Sequence, residues 1–123
     1  MCPTHQKRMR RCDTQYGLLF ICDEVGCDIR CWAGPYTSPA DSETRALRSE
    51  CHKLFDPLWR MEYGPFHSYE KGARNSKRKK RGRAYAWLAR AMQIELAQAH
   101  FGLFDKQQCM EATEKIEALA AGH

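Results

Sequence analysis

The chain has no apolar run approaching the roughly 18 residues that a membrane helix needs; its longest candidate, Leu18-Leu19-Phe20-Ile21, stops at Cys22. No membrane partner is therefore expected. The opening residues, Met1-Cys2-Pro3-Thr4-His5-Gln6-Lys7-Arg8, lack the apolar stretch of a signal peptide. The cysteines number seven, an odd count, which speaks against a secreted disulfide framework and for metal-bound thiolates in a reducing cytoplasm. Clustered carboxylates are also missing, as is a metal site with an open coordination position. Nuclease chemistry, catalytic zinc and a small-molecule substrate are thus not expected. No internal repeat is visible, and 123 residues suit a single domain, 1–123, with a core of ordinary size.

One stretch lacks acids altogether. Lys71, Arg74, Lys77, Arg78, Lys79, Lys80, Arg81 and Arg83 fall within residues 71–83 with no Asp or Glu among them. These eight cations exceed the formal net charge of +5, so the rest of the chain is net negative and the basic character belongs to this segment. A block this dense favours contact with phosphate. With no aromatic inside the run, backbone attraction is expected in place of base stacking.

What is abundant at the other end is metal-ligating chemistry. Cys2, His5, Cys22 and Cys27 form a C-x2-H…C-x4-C arrangement with residues 6–21 between the pairs. Two short loops with two ligands each can set three sulfurs and one imidazole at the corners of a tetrahedron, the geometry of structural zinc. One Zn²⁺ is expected. Cys31 competes with Cys27 for the fourth position, and Cys12 reads as a strand residue.

Residues 1–36 lack helical periodicity and read as a zinc-pinned lobe, with strands at Lys7–Arg11 and Tyr16–Ile21 around Cys12-Asp13-Thr14-Gln15. Gly34-Pro35-Tyr36-Thr37-Ser38-Pro39 punctuates the chain. Asp41 or Ser42 then caps a helix over 41–60, with Leu47, Cys51, Leu54, Phe55 and Leu58 at helical spacing and Pro57 ending or kinking it. Residues 62–82 read as a flexible basic loop. A second helix is expected over 83–98 with Tyr85, Leu88, Met92 and Leu96 on one face. A third over 105–120 opens on an Asp105/Gln108 variant of the capping box and buries Cys109, Ala112, Ile116 and Leu119. Leu54, Phe55, Leu88 and Ile116 are expected inside, with Trp59, Trp87 and Phe104 joining the elements. Cys51 reads as a small core residue, and His52 and His100 as hydrogen-bonded structural residues. The expected fold is α+β, a zinc-ribbon-like β-hairpin lobe packed against about three α-helices.

The strings His52-Lys53-Leu54-Phe55-Asp56-Pro57-Leu58-Trp59, Ala84-Tyr85-Ala86-Trp87-Leu88-Ala89 and His100-Phe101-Gly102-Leu103-Phe104-Asp105-Lys106-Gln107-Gln108-Cys109 resemble a family of small phage and prophage proteins described as a zinc-finger-containing domain. The resemblance runs from about Cys2 to Cys109 and implies two C-x2-C knuckles, which map onto Cys2/His5 and Cys22/Cys27. It therefore favours Cys27 over Cys31. This chain departs from the pattern by a His for the second Cys, by a longer second knuckle, and by a longer connection before the second helix. That connection carries most of the excess basic residues.

Together these features predict a phage-type, zinc-stabilised accessory protein of the bacterial cytoplasm. It would bind nucleic acid, DNA or RNA, without sequence preference through Lys77, Arg78, Lys79, Lys80, Arg81 and Arg83. The rival expectation is a protein-interaction module that binds and inhibits or redirects a host protein, the same basic loop meeting an acidic surface on it.

Overall fold

A three-stranded antiparallel sheet followed by three helices makes up the α+β arrangement of the computed structural model, which describes residues 1–123. The strands β1 (Arg10–Thr14), β2 (Gly17–Ile21) and β3 (Arg30–Trp32) lie in that order, with Cys12 opposite Leu19 and Phe20 opposite Cys31. The helices are α1 (Ser42–Arg60), α2 (Lys77–Met92) and α3 (Lys106–Gly122). Two short 3-10 turns, Leu96–Gln98 and Phe101–Leu103, join α2 to α3. No helix is long and apolar enough to cross a membrane.

The first strand lies later in the chain than its expected Lys7–Arg11. Thr14 closes a two-residue turn: its hydroxyl donates to the Gly17 carbonyl at 2.8 Å and accepts the Tyr16 N–H at 3.1 Å. Cys12 to Thr14 are consequently extended, with Gly17 at φ 122° completing the turn. The third strand has no sequence counterpart, since three residues are too few to show alternation.

Asp41 is the cap of α1, accepting the Thr44 N–H at 2.8 Å, and its carboxyl is held down at about 2 by Thr44 and, next, by Lys106. Pro57 does not end α1, although its ring removes the N–H that would return to the Lys53 carbonyl. The helix runs on to Arg60, and the Met61 N–H closes on the Pro57 carbonyl. Leu54 is 39% exposed, contrary to expectation. At about 100° per residue the buried set Thr44, Cys51, Phe55, Leu58 and Trp59 centres near Cys51 and Phe55, which leaves Leu54 on the shoulder of the stripe. The Asp105/Gln108 capping box of α3 is complete in both directions, at 2.8 and 3.0 Å.

Helix α2 departs most from expectation. It begins at Lys77, capped by Ser76, and ends at Met92 with Gln93 in the left-handed region at φ 56°. The expected 62–82 loop therefore stops at Ser76, and the 83–98 helix begins six residues early and ends before the exposed Leu96. Lysine and arginine are good helix formers, and the apolar stripe Ala84, Leu88, Ala89 and Met92 holds the following turns in the core. Gly82 sits mid-helix where a Cβ would meet nothing within 4 Å. Gly82→Ala should raise stability by about 0.5–1 kcal/mol, read as a higher denaturant midpoint.

Most of the buried apolar residues fall into two clusters with no common member. Cys51, Phe55, Leu88, Phe101, Phe104, Cys109 and Ile116 are among those centring the helical core, where α1 packs on α2 and α3. Cys2, Met9, Cys22 and Ile29 form the smaller one inside the sheet lobe. The seam between them is polar. Arg48 donates to the Phe104 carbonyl at 2.8 Å and to the carbonyl and hydroxyl of Ser38 at 2.9 and 2.8 Å. Arg30 and Ala40 form a bridge, and Asp28 accepts from the Ser42 N–H.

Candidate functional site

Two tight turns build a metal centre. In the first, the Gln6 N–H returns to the Cys2 carbonyl at 2.8 Å with Gln6 at φ 54°, so that Cys2 and His5 face the same way. In the second, the Cys27 N–H reaches the Glu24 carbonyl at 3.0 Å, with Gly26 at φ 80° permitting the reversal. A Lys7–Glu24 ion pair and an Arg10–Asp23 pair at 2.8 Å tie the two turns together.

The donor atoms of Cys2, His5, Cys22 and Cys27 all lie within 4.8 Å of one another. Zinc–sulfur bonds of about 2.3 Å and zinc–nitrogen bonds of about 2.0–2.1 Å, at tetrahedral angles, require S···S edges of about 3.8 Å and S···N edges of about 3.6 Å. Cys2 Sγ to Cys27 Sγ measures 3.8 Å, and His5 Nδ1 stands 3.7 Å from Cys2 Sγ and 3.6 Å from Cys22 Sγ. The set thus fits one structural zinc ion through Nδ1 of the imidazole. Cys31 takes no part, since its Sγ lies 3.2 Å from the Trp32 carbonyl and 3.5 Å from the Thr37 hydroxyl. Burial pushes the Cys2 thiol up, but the amides of His5 and Thr4 and the His5 ring outweigh it and bring the group to about 6. For Cys22 the Glu24 amide acts downward, while burial and the neighbouring Cys27 and Cys2 prevail and raise it to about 11. Zinc takes these thiols as thiolates, so metal binding releases protons.

The six cations expected to contact phosphate divide three ways. Lys80 is buried, its Nζ donating to the Met61 carbonyl at 3.0 Å. Arg83 is half-buried and donates to the Phe66 carbonyl, the Asn75 side chain and the Arg74 carbonyl. Both are spent on fastening the preceding loop, which Asn75 also pins through paired hydrogen bonds to Ser68. Their contact role is corrected accordingly. Lys77, Arg78, Lys79 and Arg81 remain exposed, and no carboxylate pairs with any of them.

Of those four, Lys77, Arg78 and Arg81 line an open cleft of about 910 Å³. Lys79 does not, because it lies about 130° round the helix from the cleft-facing residues. The opposite wall is aromatic, Tyr36 stacking on His100 with centroids 4.0 Å apart; from α2 itself Tyr85 stands 5.8 Å from His100, with the Arg81 guanidinium 5.5 Å from its ring. Gly102 fixes this wall, for a Cβ there would come within 2.2 Å of the Tyr36 carbonyl. Burial and then the Arg81 charge hold the His100 imidazole below its ordinary value. None of these rings was legible as site material, because Tyr36, Tyr85 and His100 come from three separated segments. The one local signal was Tyr85 standing four residues after Arg81, one turn along the same face.

A family model described as a zinc-finger-containing domain matches residues 6–118. The match takes in Cys22 and Cys27 and begins just after His5. No curated protein and no solved structure matches the chain.

Proposed function

The chain belongs to the zinc-finger-containing domain family, and from that premise we propose that it is a non-enzymatic, zinc-stabilised accessory protein, phage-type by its resemblance, that binds nucleic acid in the cytoplasm through the start of α2. The observation that carries this reading is the set of four exposed cations, Lys77, Arg78, Lys79 and Arg81, on one rigid helical segment with no carboxylate to neutralise them. The helix carries no acid in its first turn, so the positive end of its dipole adds to their field instead of being offset. An anion there relieves both. The metal takes no part in chemistry on this reading, since four protein donors close its coordination sphere.

Glutamine at Lys77, Arg78, Lys79 and Arg81 together should abolish binding to duplex or single strands at low salt, with zinc content and melting temperature nearly unchanged. Lys80 and Arg83 are left intact because their loss would loosen the 61–76 loop. Four phosphate contacts predict a log–log salt slope of roughly −3 to −4 on duplex, flattening in the variant. If the unmodified protein retards neither strand form at low salt, the reading fails and an acidic protein surface becomes the partner to test.

A further inference from the structure

We infer that the cleft between α2 and the Tyr36/His100 wall holds single-stranded nucleic acid, with a base on the Tyr36–His100 stack and its flanking phosphates at Lys77, Arg78 and Arg81. This rests on the nucleic-acid reading above and specifies the strand form. The charge run contains no aromatic, which by itself predicts backbone attraction alone, indifferent to strand form. Folding supplies what the run lacks. Tyr36 is 54% exposed and backed by His100 at 4.0 Å, so one ring face is already paid for by stacking and the residue presents the rest of its surface to the cleft. Across from that stack, Tyr85 of α2 stands 5.8 Å from His100, and the Arg81 guanidinium 5.5 Å from the Tyr85 ring offers a planar cation between the two walls.

The pairing is specific in kind. A duplex hides the faces of its bases and has phosphates only for the cationic wall; an unpaired strand offers both a π-face and phosphates on the same nucleotide. An acidic peptide would satisfy the cations but leave the aromatic wall without a planar partner. The space is adequate, since about 910 Å³ of open cleft exceeds what one nucleotide occupies. Gly82 on the cleft floor carries no side chain, and nothing stands within 4 Å of where its Cβ would be.

The test compares a labelled oligothymidylate of about 12 nucleotides with a duplex of the same length, followed by fluorescence anisotropy at fixed salt. The single strand should bind more tightly. Tyr36→Ala should weaken oligothymidylate binding about 5- to 100-fold and leave duplex binding within about twofold. Tyr36→Phe, which keeps the ring, should bind as the unmodified protein does. Arg78→Gln should weaken the single strand more than Lys79→Gln, which lies outside the cleft. Unchanged zinc content and melting temperature in Tyr36→Ala separate lost stacking from lost folding. Duplex binding as tight as single-strand binding, or oligothymidylate affinity unmoved by Tyr36→Ala, overturns the inference while the nucleic-acid reading stands. Failure of the unmodified protein to bind either probe overturns both.

Discussion

Cys22→Ser should release the zinc ion and unfold the sheet lobe while the three helices stay folded. Serine keeps the size of the side chain but removes a thiolate, and its hydroxyl is a poor zinc ligand at neutral pH. The lobe has little else to hold it. Its buried cluster is Cys2, Met9, Cys22 and Ile29, of which two are themselves ligands, and its strands are five, five and three residues long. Ligation in small zinc domains contributes on the order of 10 kcal/mol, far more than two apolar side chains can bury. The helical cluster shares no residue with this one, so far-UV circular dichroism should keep its helical signal. Elemental analysis should fall from one zinc per chain to near zero, and amide protection should vanish from β1 and β2 but persist in α1 and α3. Cys31→Ser is the matched control and should keep its zinc, because that thiol faces Trp32 and Thr37. Retention of metal by Cys22→Ser would overturn the ligand set, and its loss in Cys31→Ser would hand the place of Cys27 to Cys31.

Phe55→Ala should destabilise the helical core by about 3–5 kcal/mol, the range for a large aromatic side chain removed from a packed interior. Phe55 has no exposed surface, and its ring meets Tyr85 at 5.0 Å, Phe101 at 5.2 Å and Phe66 at 6.4 Å. These neighbours come from α2, the turn before α3, and the loop after α1. Closing the cavity would require three separately anchored rings to move together, which places the cost toward the upper end. Against a typical total of about 5–15 kcal/mol, the melting temperature should drop by on the order of 10–20 °C. Leu54→Ala, one residue away on the exposed shoulder, should cost less than about 1 kcal/mol. Equal effects at the two positions would mean that the helix is rotated from the orientation described.

The metal centre was legible because its information is local: each pair of ligands sits within one turn, and the pairing survives any arrangement of the rest. The caps of α1 and α3 were readable for the same reason, Asp41 and Asp105 each satisfying amides three residues ahead. Helix α2 was obscured by its own charge. A dense block of lysine and arginine shows no apolar period, yet Lys80 and Arg83 lay their stems inward and deliver their charged ends to backbone carbonyls, so they behave as core-facing positions. Leu54 erred in the opposite sense. It matched the helical spacing, but the orientation of the buried arc is set by what α1 packs against, and that is tertiary. The cleft was out of reach, since it exists only once Gly102 lets the Tyr36 backbone approach.

The carbonyl partners of Lys80 and Arg83 have an effect beyond anchoring. A carboxylate would have cancelled those charges; a carbonyl oxygen is a dipole and leaves each side chain a full positive unit, fixed in position. Both therefore still contribute to the potential that reaches out from α2, although their charged ends are held by backbone carbonyls. Residues in contact set how long a bound anion stays, whereas the wider field sets how often one arrives. The buried Lys80 and half-buried Arg83 belong to the second group, acting on the rate of encounter from beneath the surface.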